Sequence, residues 1–586
     1  MSQTDNYFIA LLGIAESFRS QQPPAIRLCI QSLNALFQLP LTPNLQVIAR
    51  YQLGKVLHQY TRNVDLARAH LEQANQLVTT LPTGFEEMRL QIASLLAQIY
   101  AEQKQVAYCK ETLRGVLETS RVFPYWHSRL LFQSAEAYVL EGDKGAAGTL
   151  LEAGAEYAAT SQALYTEALF RLSKAMLLMQ ERNAIEEVHR ICQKVKSLID
   201  VLQSTPVRKA ALKAFFLAVQ VCHMLMFGKV KDAKECLKLL QSCFQTISSS
   251  PSEVEGVEEK SLESFEWLSK DALCIFVYIV SVVHAMQAGQ MEKAAKYTDK
   301  GLSQLEKLRG CGDAELLGGF QILLLENSAM QRLILGQPSV AVRDIASICS
   351  LAASNSTLFA AHEAQAHTLL GMYAMTLKET DTAVRQFNTA LKVAKDVDLW
   401  CLVNLNMAMM FLQEGRDQEF YSMLERINPD RLPSNSRALQ AASYFIRGLQ
   451  SFMHNRHQEA KRYLKDCLAI SNEEDLSRLS ASALVLLANI CLRFQNVSDC
   501  SSMLQPALEL ANRIPDLSLQ IWATQILKEV YLLCEERKKG EEAGNVEATY
   551  SARLAKDVER AKASQHHALL NWVEGPCLYL PSSGTT

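Results

Sequence analysis

The chain has 586 residues, 49% hydrophobic and 21% charged, with a formal net charge of -3. That is ample material for a buried core and excludes a disordered chain. The basic surplus of a protein whose main partner is nucleic acid is missing, so no direct nucleic-acid binding is expected.

The opening Met1-Ser2-Gln3-Thr4-Asp5-Asn6 has no basic region leading into an apolar core, so no secretory signal is expected and the protein is placed inside the cell. Fifteen cysteines, an odd number without any Cys-x-x-Cys, read as reduced core residues rather than a disulfide framework or zinc site. From the start the sequence repeats a pair of helices. Gly13 and Ala25 lie twelve residues apart, as do Ala135 and Ala147, which Leu151 and Gly154 follow at helical spacing. Residues 248–264, opening SSSPSEVEGVEEK, are polar, acidic and punctuated by proline, and read as an exposed acidic loop.

The next stretch, Ala272 to Met291, carries no formal charge over a length that could cross a bilayer. Ser281, His284, Gln287, Gly289 and Gln290 interrupt it and a charged amphipathic helix follows, so a buried solenoid helix is expected and no membrane. Such a helix covered on one side only should show a polar stripe; a tightened superhelix or a bound chain must cover the other. Short turns at Gly289-Gln290-Met291 and Gly336-Gln337-Pro338 each open a second helix, and Gly310 to Gly319 reads as a glycine-rich connection. The fullest repeat runs from His367 to Lys395: Leu370-Gly371, Ala383 twelve residues on, then Phe387 and Ala390. Small residues at Gly371 and Ala383 let antiparallel helices approach, and Phe387 fills the gap to the next unit. Gly448, Ala460, Leu464 and Cys467 form another copy, and Ala488, Cys500, Leu504 and Ala507 a further one.

Equivalent alanines at 294, 341 and 383 are spaced 47 and 42 apart, and residues 460 and 500 lie 40 apart, longer than the roughly 34-residue tetratricopeptide period. Longer helices or turns explain this, with HEAT-type repeats as the alternative. The expected fold is therefore all-α, a tetratricopeptide-type helical-repeat superhelix (α-solenoid) over 1–535. A C-terminal capping helix region at 536–575, with its helix from about Val546 to Leu570, and a disordered tail at 576–586 complete the chain.

No catalytic site is expected. There is no P-loop, nucleophile elbow or His-Glu-x-x-His, and no cofactor or metal is implied. His362 and His367 are five residues apart and read as surface histidines, His454 and His457 as turn residues, and Gly310, Gly312, Gly318 and Gly319 as loop glycines. Arg456, Lys461, Arg462 and Lys465 form a basic cluster, the last three on a second helix; a solvated convex face is the plain reading and a docking patch the alternative.

In tetratricopeptide stacks the first helix of each pair lines the concave groove. Counting from the Leu-Gly step gives Phe132 and Val139; Phe276, Ile279, Val283 and Met286; Thr368, Met372 and Met375; Phe445, Leu449 and Phe452; Val485, Asn489 and Leu492. Most are apolar. A clamp for a C-terminal carboxylate needs Lys, Arg and Asn there, so an apolar groove suits a long extended or partly helical segment instead. Each of these residues has a second possible use, sealing one repeat against the next.

Several stretches are similar to the Mau family, the smaller tetratricopeptide subunit of the cohesin loader. They are Ala10-Leu11-Leu12-Gly13 with Ala15-Glu16 and Phe18-Arg19, Pro124-Tyr125-Trp126-His127, Gly154-Ala155-Glu156-Tyr157-Ala158, Met286-Gln287-Ala288-Gly289 with Tyr297-Thr298-Asp299-Lys300, Leu424 to Asp430, and Glu474-Asp475-Leu476 with Arg478-Leu479. The matches run in order from about residue 7 to about 530. The resemblance implies a solenoid that wraps the N-terminal segment of the large HEAT-repeat loader subunit of the Nipped-B type and helps bring cohesin onto chromatin in the nucleus. It implies no catalytic residue, leaves ATP chemistry to cohesin and DNA contact mainly to the large subunit. An adaptor for a different complex and an enzyme are the competing classes.

Overall fold

The computed structural model describes residues 3–61, 63–81, 84–179, 184–249, 265–308, 314–353, 355–573 and 575. The expected acidic loop beyond Ser249 and the tail 576–586 lie outside the described residues. Those described form twenty-six α-helices and two 3-10 helices, with no strand among them.

Most first helices end alike. A residue in the left-handed region lies two positions past the helix: Lys104, Gly228, Gly289, Gly336, Lys378, Gly415, Asn455, Gln495 and Glu535. The next N–H then reaches back over the last turn, as from Gln290 to the Ala285 carbonyl (2.7 Å), Arg456 to Ser451 (2.8 Å) and Glu536 to Tyr531 (2.9 Å). This closure satisfies otherwise orphaned carbonyls and aims the chain back along the helix it has left. From Gly415 onward the left-handed residue recurs every 40 positions, which fixes the repeat length that alanine spacing only approximated.

Close approach is achieved where small residues meet. At Gly371 a Cβ would stand 2.5 Å from the Phe387 ring, at Gly448 2.9 Å from Leu464, and at Gly54 2.7 Å from Leu71. Ala67, Ala383 and Ala460 are wholly buried beside them. In the Gly54, Ala67, Leu71 copy the small residues lie thirteen apart, because the first helix runs one residue further past its glycine than at Gly371 or Gly448. Gly13 and Ala25 do not form such a step: Gly13 has nothing within 4 Å, and Ala25 is the residue before the helix Ile26–Leu36. Cys29 and Leu33 fill the contact instead. The glycine-rich connection is also shorter than expected, because the helix Ala314–Ile334 already contains Gly318 and Gly319, with Leu358 packed over Gly318.

The chain divides into two compact units, 1–219 with 250–267, and 220–249 with 268–586. The first stacks five complete helix pairs in order. The second also joins residues far apart in sequence. The Arg437 N–H donates to the Phe227 carbonyl (2.9 Å), a Cβ at Gly336 would meet Leu517 at 2.4 Å, and Met291 and Ile334 share a buried cluster with Ile514. These contacts explain the charge-free helix. Lys270–Gln287 packs against Val230–Ser249, Met291–Lys307 and Ala314–Ile334, and Gln241 reaches across to Ser281 Oγ (3.2 Å). Helices of this unit cover the faces of it that lack a polar stripe. By length and composition this helix and Pro206–Met226 pass as possible membrane spans, but just over half of each window is buried in protein.

The C-terminal helix is Arg537–Lys562, followed by the 3-10 helix Gln565–Asn571. It pairs with Leu517–Leu533 and also lies on Pro338–Ala353. Tyr373 Oη donates to the Ala561 carbonyl (3.3 Å), and Gln386 Nε2 to the carbonyls of Leu570 (3.0 Å) and Trp572 (2.7 Å). The His367 ring sits 4.0 Å from that of Trp572. The helix thus starts nine residues earlier than expected and is fastened to a repeat nearly 190 residues upstream. None of the thirteen described cysteines is in a disulfide, and burial pushes Cys109, Cys192 and Cys500 up to about 11 and Cys467 up to about 12.

Two predictions test this packing. Gly371→Ala should cost about 1–3 kcal/mol by overpacking, whereas Gly13→Ala should be neutral or stabilising by up to about 1 kcal/mol from helix propensity; denaturant titration of the two variants measures the contrast. Burial holds the His367 imidazole below its ordinary value, with the Gln386 hydrogen bond acting weakly the other way. Its contribution to stability is therefore complete above the unfolded value near pH 6.5 and declines as pH falls through it. Burial raises Glu326 and Asp344, which work in the opposite sense. The fall in melting temperature between pH 7.5 and 5.5 should accordingly be smaller for His367→Gln than for the parent chain.

Candidate partner-binding surfaces

In the first unit, the successive first helices Pro124–Glu141 and Leu164–Leu178 and the part of Pro206–Met226 up to residue 219 present aromatic residues to one non-helical segment of the same chain. Pro124 sits in the first turn of its helix, where its fixed φ suits the entry and its missing N–H is no loss. Tyr125 follows and stacks on Phe265 (5.2 Å, 14°), and Phe132 lies 5.6 Å from the same ring. Tyr165 Oη donates to the Phe265 carbonyl (3.1 Å). Two residues on, Trp267 stacks on Phe215 (4.2 Å, 11°). Arg129 steadies the platform, donating to Tyr125 Oη (3.1 Å) and Ser94 Oγ (3.0 Å). Aromatic faces thus take alternate side chains while a phenol satisfies the backbone between them, which is the chemistry needed to hold an extended polypeptide. Sequence reading took Phe132 from repeat counting but missed Phe265 and Trp267; the available signal was a Phe-Glu-Trp triplet following an acidic run.

The other groove positions fall as follows. Val139 is 41% exposed. Phe276, Ile279, Val283 and Met286 pack in the core around Lys270–Gln287, with Ile279 buried. Thr368 is buried, its hydroxyl bonded to the Ala364 carbonyl (2.8 Å), while Met372 and Met375 are half-buried against the core of the second unit. Phe445 is buried, and Leu449 and Phe452 are half-buried. Val485 and Leu492 belong to a core with Cys500, Leu504 and Ala523, and Asn489 is half-buried. Ile279, Phe445, Val485 and Leu492 are buried in the packing of their own unit, the second use that sequence left open.

Polar groups occur in the interior, one of them a histidine expected on a helix surface. Glu326, buried, lies 2.8 Å from His362 Nδ1, and burial outweighs that bond in raising its carboxyl. His367 is fully buried with Nδ1 2.7 Å from Gln386 Oε1, not on a helix surface, because its repeat is covered by the C-terminal segment. No group of three or more His, Cys, Asp or Glu among the described residues is arranged to hold a metal ion. His454 does lie at a turn, bonded to the Gln450 carbonyl (2.9 Å), and His457 opens the helix His457–Glu473. In the basic cluster, Arg456 pairs with Glu459 (3.0 Å), Lys461 stands over Phe494 (5.5 Å), Arg462 over Tyr463 (5.0 Å), and Lys465 is exposed. Three of the four are thus already engaged within the protein.

The family described as cohesin loading factor matches residues 7–538. A MAU2 chromatid cohesion factor homolog of Aedes aegypti is 40% identical over 582 residues, 98% of this chain and 93% of that protein. The Drosophila virilis homolog is 38% identical over 577 residues, 97% and 92% respectively. Among solved structures, Scc4 in complex with Scc2n is similar with a TM-score of 0.58 at 12% identity, covering 95% of this chain and 98% of that one. Scc4 in complex with Scc2n and Ctf19n gives 0.60 at 12% identity, covering 95% and 99%. At that identity the likeness establishes the helical-repeat fold.

The aromatic platform makes a quantitative prediction. In a double-mutant cycle, Tyr125→Leu and Phe265→Leu should show a coupling of about 0.5–1.5 kcal/mol, the range for stacked aromatic pairs. Strict additivity in denaturant titrations would show that the segment does not rest on this face.

Proposed function

The chain belongs to the cohesin loading factor family, and we propose that it is the non-catalytic scaffold subunit of a cohesin loader. In this reading it wraps the N-terminal segment of the large HEAT-repeat subunit, of the Nipped-B type, and through that subunit promotes cohesin's association with chromatin, sister chromatid cohesion and chromosome segregation in mitosis. The observation that carries the reading is the first unit's own arrangement: successive first helices already hold a non-helical segment, Phe265–Trp267, by ring stacking and a hydroxyl-to-carbonyl bond. Scc4, similar in fold, is seen with Scc2n, which supports the same class of partner. The protein works in the nucleus, meets cohesin and chromatin through its partner, and leaves ATP chemistry to cohesin. A net charge of -3 agrees with DNA contact lying elsewhere in the assembly.

On this reading the accessible inner-face residues, Val139 in the first unit and Met372, Met375, Leu449, Phe452 and Asn489 in the second, touch the partner, and the buried ones support them from behind. The test is co-expression with the large subunit's N-terminal segment. Val139→Asp with Leu140→Asp alters two exposed side chains, so the fold should survive and affinity should fall at least tenfold, about 1.4 kcal/mol. Phe452→Asp provides the matching variant in the second unit. Undiminished co-purification of both folded variants would remove the inner face from the contact.

A further inference from the structure

In the first unit, the loop between Ile185–Val201 and Pro206–Met226 carries a sequence that neither the repeat nor the inner face uses. Residues 202–205 are non-helical, and Leu202, with φ −60° and ψ 121°, turns the chain out of the preceding helix. The loop ends on Thr205-Pro206-Val207-Arg208, with Lys209 next. The chain holds three Ser/Thr-Pro steps, at Thr42, Thr205 and Ser250, and three residues beyond them stand Leu45, Arg208 and Glu253. Thr205 alone therefore joins a following proline to a basic residue at the third position.

The surroundings of this threonine suit an added anion. Thr205 and Pro206 are both exposed. The Thr205 carbonyl accepts the first bond of the helix, from the Lys209 N–H (2.9 Å), which makes Thr205 the N-cap. Its hydroxyl takes the Arg208 N–H at 3.4 Å, a long cap bond. Lys209 Nζ donates to the Leu202 carbonyl (3.1 Å), across the loop. From Gln203 to Val219 there is no acid, whereas Arg208, Lys209 and Lys213 bring three cations. Negative charge on the Thr205 oxygen would sit in a positive local field, at the positive end of a helix dipole.

We propose that Thr205 is a phosphorylation site for a proline-directed protein kinase that also reads a basic residue three positions on. In the transfer, Thr205 Oγ1 attacks the γ-phosphorus of ATP. The new O–P bond forms as the bond from that phosphorus to the β–γ bridging oxygen breaks; ADP leaves, and the hydroxyl proton passes to the kinase's general base. Pro206 presents no N–H that the kinase would have to satisfy, and the Arg208 guanidinium offers donors to an anionic group beside the kinase's cleft. The residues before the acceptor already lie outside a helix, so only the first turn has to open, and terminal turns fray at little cost. Once made, the phosphate replaces a weak hydroxyl cap by a charged one. It firms the start of the helix whose Phe215, ten residues on, stacks on Trp267. The proposal does not depend on how the large subunit binds.

The test incubates the full chain with a cyclin-dependent kinase and magnesium ATP and maps the product by tandem mass spectrometry. Phosphate should be found on Thr205 and be lost from that peptide in Thr205→Ala. Arg208→Gln keeps the acceptor and the proline; with helicity by circular dichroism unchanged, it should lower the initial rate at Thr205 about tenfold or more, the effect of one lost charge-assisted hydrogen bond. Phosphorylation should also slow amide exchange at Lys209, Ala210 and Ala211 by about two- to fivefold, as a negative group at a helix N-terminus does. Phosphate absent from Thr205, or incorporated there equally fast in Arg208→Gln, overturns the site. Exchange that is unchanged or faster after complete phosphorylation overturns the capping role.

Discussion

The distance between two antiparallel helices is the constraint on which both units rest. At Gly54, Gly371 and Gly448 a single methyl group would meet a neighbouring side chain at 2.5–2.9 Å, and the opposing alanines are buried to completion. Interiors packed at this density transmit any added volume to the next repeat. The turn chemistry serves the same constraint. A left-handed residue and a backward N–H bond make most first helices stop where the second can fold onto them, so register is set by local contacts.

This division between local and distant determinants explains what could be read from the chain. Helix pairing was legible because Leu370-Gly371, Ala383 and Phe387 lie within one repeat, and Pro338 and Gly336 mark a turn by their own backbone preferences. The cover over Lys270–Gln287 was not legible, because uniform apolarity states that a helix is surrounded without stating by what. The answer comes from several neighbouring helices, and comparable closures elsewhere in that unit join residues 184 to 218 positions apart. Local periodicity contains no term for such distances. The histidines illustrate the same gap: His367 reads as a surface residue until Trp572 is brought against it.

The inner-face positions show the same gap between register and role. Repeat counting identifies which side chains leave a first helix on a given side; it cannot tell whether a neighbouring repeat, a returning segment or a partner meets them. Phe132 shows the case well. Its ring stacks on Phe170 of the next repeat at 3.8 Å and also borders Phe265, so one residue seals the stack and helps hold a peptide. An apolar groove and an apolar seam are thus the same residues seen at different depths.

The returning segment also bears on where a partner can lie. Phe265 and Trp267 are tethered to the unit whose face they occupy, and tethering over short distances gives an effective concentration on the order of mM. A partner in trans at cellular concentrations would have to outbind a segment already in place, so displacement is unfavourable and addition alongside is favoured. Exposed Tyr7, Ile9 and Ile14 on the first helix and Tyr60 on Pro43–Tyr60 remain unoccupied by that segment. They lie on the N-terminal pairs of the same unit, before the helices that hold Phe265.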